Sequence, residues 1–189
     1  MKNIFKNICS KLRSFVLKLS FMESFPVIKP LGNAYCERIA GLILPIQQIE
    51  FNVPVTIEDQ PDLSDIETNY HRTGGGFWGA DKDGELVGTI GLIAIAGHGG
   101  AIRKMFVRKE FRGKELRIAQ SLLETLLTHC RQHGITDLYL GTVEKLQAAI
   151  RFYERNGFVR IDKDKLPESF PIMAVDTHFY HFHLPPSSK

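Results

Sequence analysis

The sequence is poor in cysteine, in net charge and in long apolar runs, and each shortage excludes a class of protein. Its three cysteines, Cys9, Cys36 and Cys130, lie far apart with no CxxC pair, which offers no zinc site and indicates a reducing compartment, so we expect a cytoplasmic protein. No apolar run reaches the ~18 residues of a membrane span. The net charge of +3 is too small to indicate a nucleic-acid partner. What remains is a chain of 189 residues, 43% of them hydrophobic, which is enough for one domain with its own core.

The first 21 residues differ in charge from the rest of the chain. They contain no acid, and their basic residues are Lys2, Lys6, Lys11, Arg13 and Lys18. Apolar residues recur among them at helical spacing, which is typical of a basic amphipathic helix on an anionic membrane surface. Alternatively, Met22 is the true start of the protein. Under either interpretation residues 1–21 are predicted to be dispensable for folding, and residues 22–189 to form a single domain.

Helical and strand patterns alternate after Met22. The predicted strands are "FPVIKPLG", "GGFWGA", "ELVGTIGLIAIAG", "AIRKMFV", "TDLYLG", "FVRI" and "THFYHFHL". Helices are predicted over "NAYCERIAGLILPIQQIEF", after Pro61, from the "RGKELRIAQSLL" stretch to a stop at Gly134, and over "EKLQAAIRFYERNG" with Gly157 just past the end. Asp83 and Gly84 supply hairpin-turn chemistry between the second and third strands.

Basic residues cluster where a predicted strand turns into the long helix. Seven bases stand against Glu110 and Glu115 there: Arg103, Lys104, Arg108, Lys109, Arg112, Lys114 and Arg117. A helix N-terminus presents free N–H groups and favours negative charge, so adjacent bases suit a phosphate ligand. Neither a solvated basic face nor a nucleic-acid patch explains why the cluster straddles a strand-to-helix turn. We interpret the stretch as a phosphate site.

Two segments in a fixed order carry a resemblance to a known family. The turn that opens the long helix reads "FRGKELRIAQSLLETLL", and "AAIRFYERNGF" follows after one further strand. In this order the chain resembles the GCN5-related N-acetyltransferases (GNAT) over residues 25–185. The resemblance implies an α+β fold with a mixed, splayed, mostly antiparallel sheet of about six to seven strands flanked by helices. It also implies acetyl-CoA as the co-substrate, bound in the splay, and no metal.

The resemblance assigns roles to particular residues. Tyr153 matches the acid that protonates the leaving thiolate, and the backbone N–H groups of Met105, Phe106 and Val107 match the donors to pantetheine and the thioester carbonyl. The remaining coenzyme-binding positions are Arg112, Gly113, Lys114, Glu115, Leu116, Arg117 and Ile118.

The chain departs from the family pattern at three positions. Glu115 and Arg117 stand where the family has small residues, and Leu146 where an asparagine is frequent. We expect positions 115 and 117 to lie in the first turn of the helix, where the backbone dihedrals suit any residue. Binding of the polyanionic coenzyme is then predicted to be weaker than usual rather than absent.

The general base is not identified, because Arg103 stands where the family often has a glutamate. His98 and Glu50 are candidates. An acidic run from Glu50 to Glu67 contains no Lys or Arg and favours a cationic acceptor, although an ordinary acidic surface explains it equally well. His178, His181 and His183 lie in the last strand. His181 and His183 are predicted to share a face, but no cysteine or paired carboxylate motif is nearby, so we interpret all three as strand residues and predict no metal site.

Two functions of different classes stay open. The first is an acetyl-CoA-dependent N-acetyltransferase that moves acetyl directly to an amine of a small molecule or peptide. The second is a non-catalytic acyl-CoA-binding or regulatory module with the same fold, which Glu115, Arg117, Leu146 and the missing base favour. Neither requires nucleic acid. A homodimer is compatible with both, and contact of residues 1–21 with a membrane surface stays a hypothesis.

Overall fold

A computed structural model describes residues 25–185, so the predicted extension 1–21 lies outside the described residues. Their strands are β1 Val27–Pro30, β2 Gly76–Lys82, β3 Glu85–Ile95, β4 Gly99–Val107, β5 Asp137–Thr142, β6 Val159–Ile161 and β7 His178–His183. They form a 7-stranded sheet in the order β1-β2-β3-β4-β5-β7-β6. Neighbouring strands are antiparallel except β4 and β5, which are parallel. The predicted mixed and mostly antiparallel sheet is therefore confirmed.

The helices are α1 Cys36–Pro45, α2 Ile66–Asn69, α3 Ile118–His133 and α4 Gln147–Arg155. Helix α1 is shorter than predicted, because the chain continues from Pro45 as a π-helical turn, Ile46–Glu50. After Pro61 the helix is a single α turn preceded by a 3₁₀ turn. The predicted stops are confirmed: Gly134 and Gly157 both adopt the left-handed conformation, with φ of +69° and +86°.

The sheet opens between β4 and β5. The two strands pair only where Gly99–Ile102 of β4 faces Asp137–Leu140 of β5. Beyond Ile102 the register of β4 against β3 shifts at a bulge. The shift is seen in the pairing, since Thr89 faces Phe106 whereas Gly91 faces Arg103. Lys104 lies in the bulge with φ of +53°. A bulge twists and re-aims a strand, so β4 leaves β5 and the cleft between them is open at this end.

Core side chains cover both faces of the sheet. Phe77 and Trp78, neighbours on β2, belong to two different buried clusters, as expected for side chains that alternate between the faces of a strand. Helices α3 and α4 pack in the cluster of Trp78, and α1 packs in the cluster of Phe77. No helix within residues 25–185 is long and apolar enough to cross a membrane.

Candidate active site

A groove of about 670 Å³ runs between β4, the N-terminus of α3 and one side of α4. Most of the predicted coenzyme-binding residues line it: Met105, Phe106, Val107, Arg112, Gly113, Lys114, Arg117 and Ile118. The predicted acid, Tyr153, lines it too. Glu115 and Leu116, also predicted to bind coenzyme, lie in the same turn but are not among the lining residues.

The connection between β4 and α3 is longer than the sequence suggested. Helix α3 begins at Ile118, so Glu115 and Arg117 lie before its first turn and not within it. Arg117 adopts a left-handed conformation with φ of +50°, and Gly113 has φ of +131°. The expectation of ordinary dihedrals is therefore wrong for Arg117. Its left-handed conformation is one that glycine adopts without strain. The left-handed backbone at position 117 explains why a small residue such as glycine suits this turn.

The N-terminus of α3 opens into the groove. The first helical hydrogen bond joins the Ser121 N–H to the Arg117 carbonyl at 2.9 Å, and no side chain caps the end. Ile118, Ala119 and Gln120, whose N–H groups precede that bond, all line the groove. Such a terminus carries free donors and a partial positive charge, and it is an anion-binding site without a fixed sequence requirement.

Arg112 lines the groove, but its guanidinium is bound within the protein and holds this turn in place. Its Nε donates to the Val107 carbonyl at 2.7 Å, and its guanidinium binds the Glu50 carboxylate through both terminal nitrogens, one of them at 2.8 Å. The Arg112 hydrogen bond lowers the pKa of Glu50, despite the opposing effect of burial. Glu50, a candidate base, is thus a paired and weakly basic carboxylate in this structure.

Tyr153 lies where the groove meets a second, smaller cavity. Its side chain is buried and its hydroxyl donates to the Met105 sulfur at 3.3 Å. Burial raises the pKa of Tyr153 above its ordinary value, so the phenol keeps its proton at neutral pH. Tyr153, Met105 and Phe106 line both the groove and the second cavity. A proton donor at the junction is positioned to serve a group in either space.

The second cavity has a volume of about 100 Å³ and lies beside the splayed end of β4. Its walls come from the π-helical turn, from β4, from the end of β5 and from the loop before β7. That loop contributes Asp176, which sequence reasoning missed. Burial raises the pKa of Asp176, although the Met173 N–H and the charges of Arg103 and Lys104 oppose the shift. A lone aspartate in a loop gives no sequence signal, since only the fold brings it to the cleft.

Lys104 ends in a buried polar cluster beneath the bulge. Its Nζ donates to Gln60 Oε1 at 2.6 Å and lies 3.3 Å from Asp62 Oδ1, and the Tyr70 hydroxyl donates to the same carboxylate. Burial lowers the pKa of Lys104 to about 8, while Asp62 acts in the opposite direction. Asp62 is therefore bound inside the protein, and Asp65 caps α2 through the Thr68 N–H. These members of the acidic run have structural partners.

The histidines singled out in the sequence lie away from the cleft. His98 Nδ1 is 3.1 Å from the Gly134 carbonyl, and His98 lines neither cavity. His181 and His183 both hydrogen-bond to Asp137 Oδ1, at 2.9 and 3.0 Å. They share a face of β7 as predicted, and they bind one carboxylate on the neighbouring strand β5.

An open mixed sheet with a coenzyme-sized groove at a splayed parallel pair is the architecture of acyl-CoA N-acyltransferases. The profile of the acetyltransferase (GNAT) family matches residues 42–158, more than half of the chain, so the chain belongs to this family. The resemblance found in the sequence is confirmed, and with it the fold.

Individual relatives agree. The acetyltransferase of the GNAT family from Staphylococcus aureus Mu50 is 41% identical, with a TM-score of 0.82 over 85% of this chain and 99% of that one. Rat N-acetyltransferase 8 is 33% identical over 137 residues, which are 67% of this chain but only 59% of the rat protein. The PaiA N-acetyltransferase of Thermoplasma acidophilum, solved in complex with coenzyme A, shares the fold at 19% identity, with a TM-score of 0.67 over 85% of this chain.

Proposed function

We propose that this chain is an acetyl-CoA-dependent N-acetyltransferase that moves acetyl directly from the thioester to an amine of a small molecule or peptide. The observation that carries the proposal is the position of Tyr153, a protonated phenol that lines both the long groove and the small cavity. Coenzyme in the groove and amine in the cavity would meet beside it.

The groove suits the coenzyme in shape and charge. Lys114, Arg117 and the open N-terminus of α3 lie at one end, where the phosphates would bind. Beyond Ile102 the edge of β4 that faces β5 has no strand partner, so its backbone groups are available to pantetheine and to the thioester carbonyl. Two structures of related fold were solved with coenzyme A and with acetyl-CoA, which supports coenzyme binding by this fold.

The chemistry needs three events at this junction. A neutral amine attacks the thioester carbonyl and forms a C–N bond while the carbonyl electrons move to oxygen. Backbone N–H groups near Met105 stabilise that oxyanion, which is the largest contribution in many acyl transfers. Collapse of the intermediate breaks the C–S bond, and Tyr153 donates its proton to the thiolate, whose ordinary pKa is ~8.5. The nitrogen releases its extra proton to water as the amide forms, and Tyr153 is reprotonated from water.

Further features of the site and of the sequence concern the acceptor and the cellular compartment. We propose an amine acceptor, and the cavity's carboxylate is compatible with one that arrives as an ammonium. Sparse cysteines with no CxxC pair are typical of a cytoplasmic protein. The alternative, a module that binds acyl-CoA without turnover, is favoured by the strained Arg117 and the unusual Glu115.

Two measurements separate the two functions. Thermal unfolding with increasing acetyl-CoA tests binding, and release of free thiol with a panel of primary amines tests turnover. A protein that is stabilised by acetyl-CoA and releases thiol only with amines is a transferase. Stabilisation without thiol release on any amine would favour the binding module, and no stabilisation at millimolar acetyl-CoA would contradict both.

A further inference from the structure

Asp176 lies against a strand position that has no side chain. It precedes β7 in the loop that closes the small cavity, and Gly141 at the end of β5 lies directly beneath its carboxylate. A Cβ atom at Gly141 would overlap the Asp176 carboxylate, with Oδ2 the nearest atom. The carboxylate occupies this position only because residue 141 is glycine.

One oxygen of the Asp176 carboxylate accepts a hydrogen bond from the described residues, and the other does not. Oδ2 accepts a hydrogen bond from the Met173 N–H at 3.3 Å. Within residues 25–185 no hydrogen bond or ion pair reaches Oδ1, yet no fully buried side-chain oxygen or nitrogen of these residues lacks a partner. Oδ1 is therefore not fully buried, and Asp176 lines the small cavity. A molecule in that cavity can reach it.

The positively charged side chains that face Asp176 are those of Arg103 and Lys104. Both already form hydrogen bonds with other groups of the protein. Lys104 is held by Gln60 and Asp62, and Arg103 Nη1 donates to the Pro171 carbonyl at 3.4 Å. Most other side chains around the cavity are apolar, among them Phe51, Val53, Val143, Phe170, Met173 and Val175. An accessible carboxylate in such surroundings favours an ammonium group that brings its own positive charge and hydrogen-bond donors.

We propose that Asp176 binds the ammonium group of the acceptor through Oδ1 and removes its proton before acetyl transfer. The inference rests on the proposed function and supplies the base that the sequence did not identify. One N–H bond breaks and one O–H bond forms on the carboxylate, which frees the nitrogen lone pair for the attack. The proton on Asp176 then exchanges with water, while the thiolate takes its proton from Tyr153.

Three variants separate this role from a structural one. Asp176→Asn keeps the size and an oxygen for the Met173 N–H but removes the charge. Gly141→Ala keeps the aspartate and displaces its carboxylate. Asp164→Asn is the matched control, because that side chain is 74% exposed in the loop between β6 and β7 and lines neither cavity. Circular dichroism and thermal unfolding establish that each variant is folded.

Binding is measured by calorimetry at pH 7.5 with benzylamine and its uncharged analogue benzyl alcohol, with and without coenzyme A. The parent protein is expected to bind benzylamine about tenfold or more tightly than benzyl alcohol, since the amine is an ammonium at this pH. Asp176→Asn and Gly141→Ala are expected to lose the preference, and Asp164→Asn to keep it. Equal affinities in the parent, or a preference that survives Asp176→Asn, would overturn the inference.

Turnover tests the proton transfer. With benzylamine as acceptor, kcat/KM is expected to fall ~10²-fold or more in Asp176→Asn, with loss of the acid limb of the pH profile. Acetyl-CoA affinity is expected to stay within a few-fold of the parent. An unchanged rate and profile would overturn the inference and leave the proposed function standing. A parent that binds benzylamine selectively but releases no thiol with any amine would overturn the proton transfer and the proposed function together.

Discussion

The two halves of the cleft are built in different ways. The groove beside α3 comes mainly from two continuous stretches, residues 105–120 and 146–156. The small cavity comes from short pieces far apart in the chain, from Gln47 and Phe51 to Asp176. Within each stretch of the groove the lining residues are neighbours along the chain, whereas in the small cavity even a supporting contact such as that of Lys104 with Asp62 joins distant residues. A half built locally leaves a sequence motif, whereas a half built from distant pieces does not.

The largest effect on stability is expected at the buried ion pair of Lys104 and Asp62, beside the small cavity. Lys104→Met leaves the Asp62 charge without its cation, and both side chains are largely buried, at 2% and 12% exposure. Breaking such a pair costs about 3–5 kcal/mol, so the free energy of unfolding in urea is expected to fall by about that much. The double variant with Asp62→Asn removes the stranded charge and is expected to recover part of the loss. Equal stability of parent and Lys104→Met would mean that the cluster does not hold the bulge.

The next largest effect is expected at Tyr153, where the two halves meet. Tyr153→Phe keeps the buried ring and removes the proton donor, so kcat is expected to fall by ~10²–10⁴-fold. Acetyl-CoA affinity is expected to change only a few-fold, because the hydroxyl acts on the leaving thiolate. Ile150→Val, on the same helix and lining neither cavity, is a control for packing. If Tyr153→Phe turns over at the parental rate, Tyr153 is only a core aromatic.

A pH effect is expected from a cluster outside both halves. Burial tends to raise the pKa of Asp137, but hydrogen bonds from His183, His181 and Thr136 outweigh it and lower the pKa to about 2. Because the folded-state pKa lies below the ordinary value of 3.8, the stabilisation is present above pH 4 and is lost as the pH falls towards 2. Denaturant midpoints measured across that window check this. Asp137→Asn is expected to flatten the decline, and an equally steep decline in the variant would contradict the assignment.

The smallest effect is expected at Arg117, on the local half. Replacement by glycine relieves a left-handed backbone and is expected to raise the free energy of unfolding by up to about 1 kcal/mol. The same change removes a base that lines the groove, so coenzyme affinity is expected to fall a few-fold. Arg117→Ala loses the charge without the relief and is expected to weaken coenzyme binding without stabilising the fold. Identical stabilities of the glycine and alanine variants would show that the conformation carries no strain.

The features that depend on neighbouring residues along the chain could be predicted from the sequence. The turn at Asp83-Gly84, the helix ends at Gly134 and Gly157, and the RG turn beside α3 were all predictable, since each needs only local backbone chemistry. The bulge at Lys104 and the carboxylate of Asp176 were not. Both depend on pairs remote in sequence, Gly91 with Arg103 and Gly141 with Asp176, and no local pattern specifies them. The left-handed Arg117 escaped prediction because arginine gives no sign of that conformation.

The central claim, that the groove beside α3 holds acetyl-CoA, is tested most directly by thermal unfolding of the parent and of Ala148→Trp across a titration of acetyl-CoA. Ala148 is exposed and lines the groove, so an indole there fills the coenzyme's space without entering the core. The parent is expected to be stabilised by about 2.7 kcal/mol at a hundred times the dissociation constant, and the variant not at all. Equal stabilisation of both proteins, or of neither at millimolar acetyl-CoA, would contradict this placement of the coenzyme.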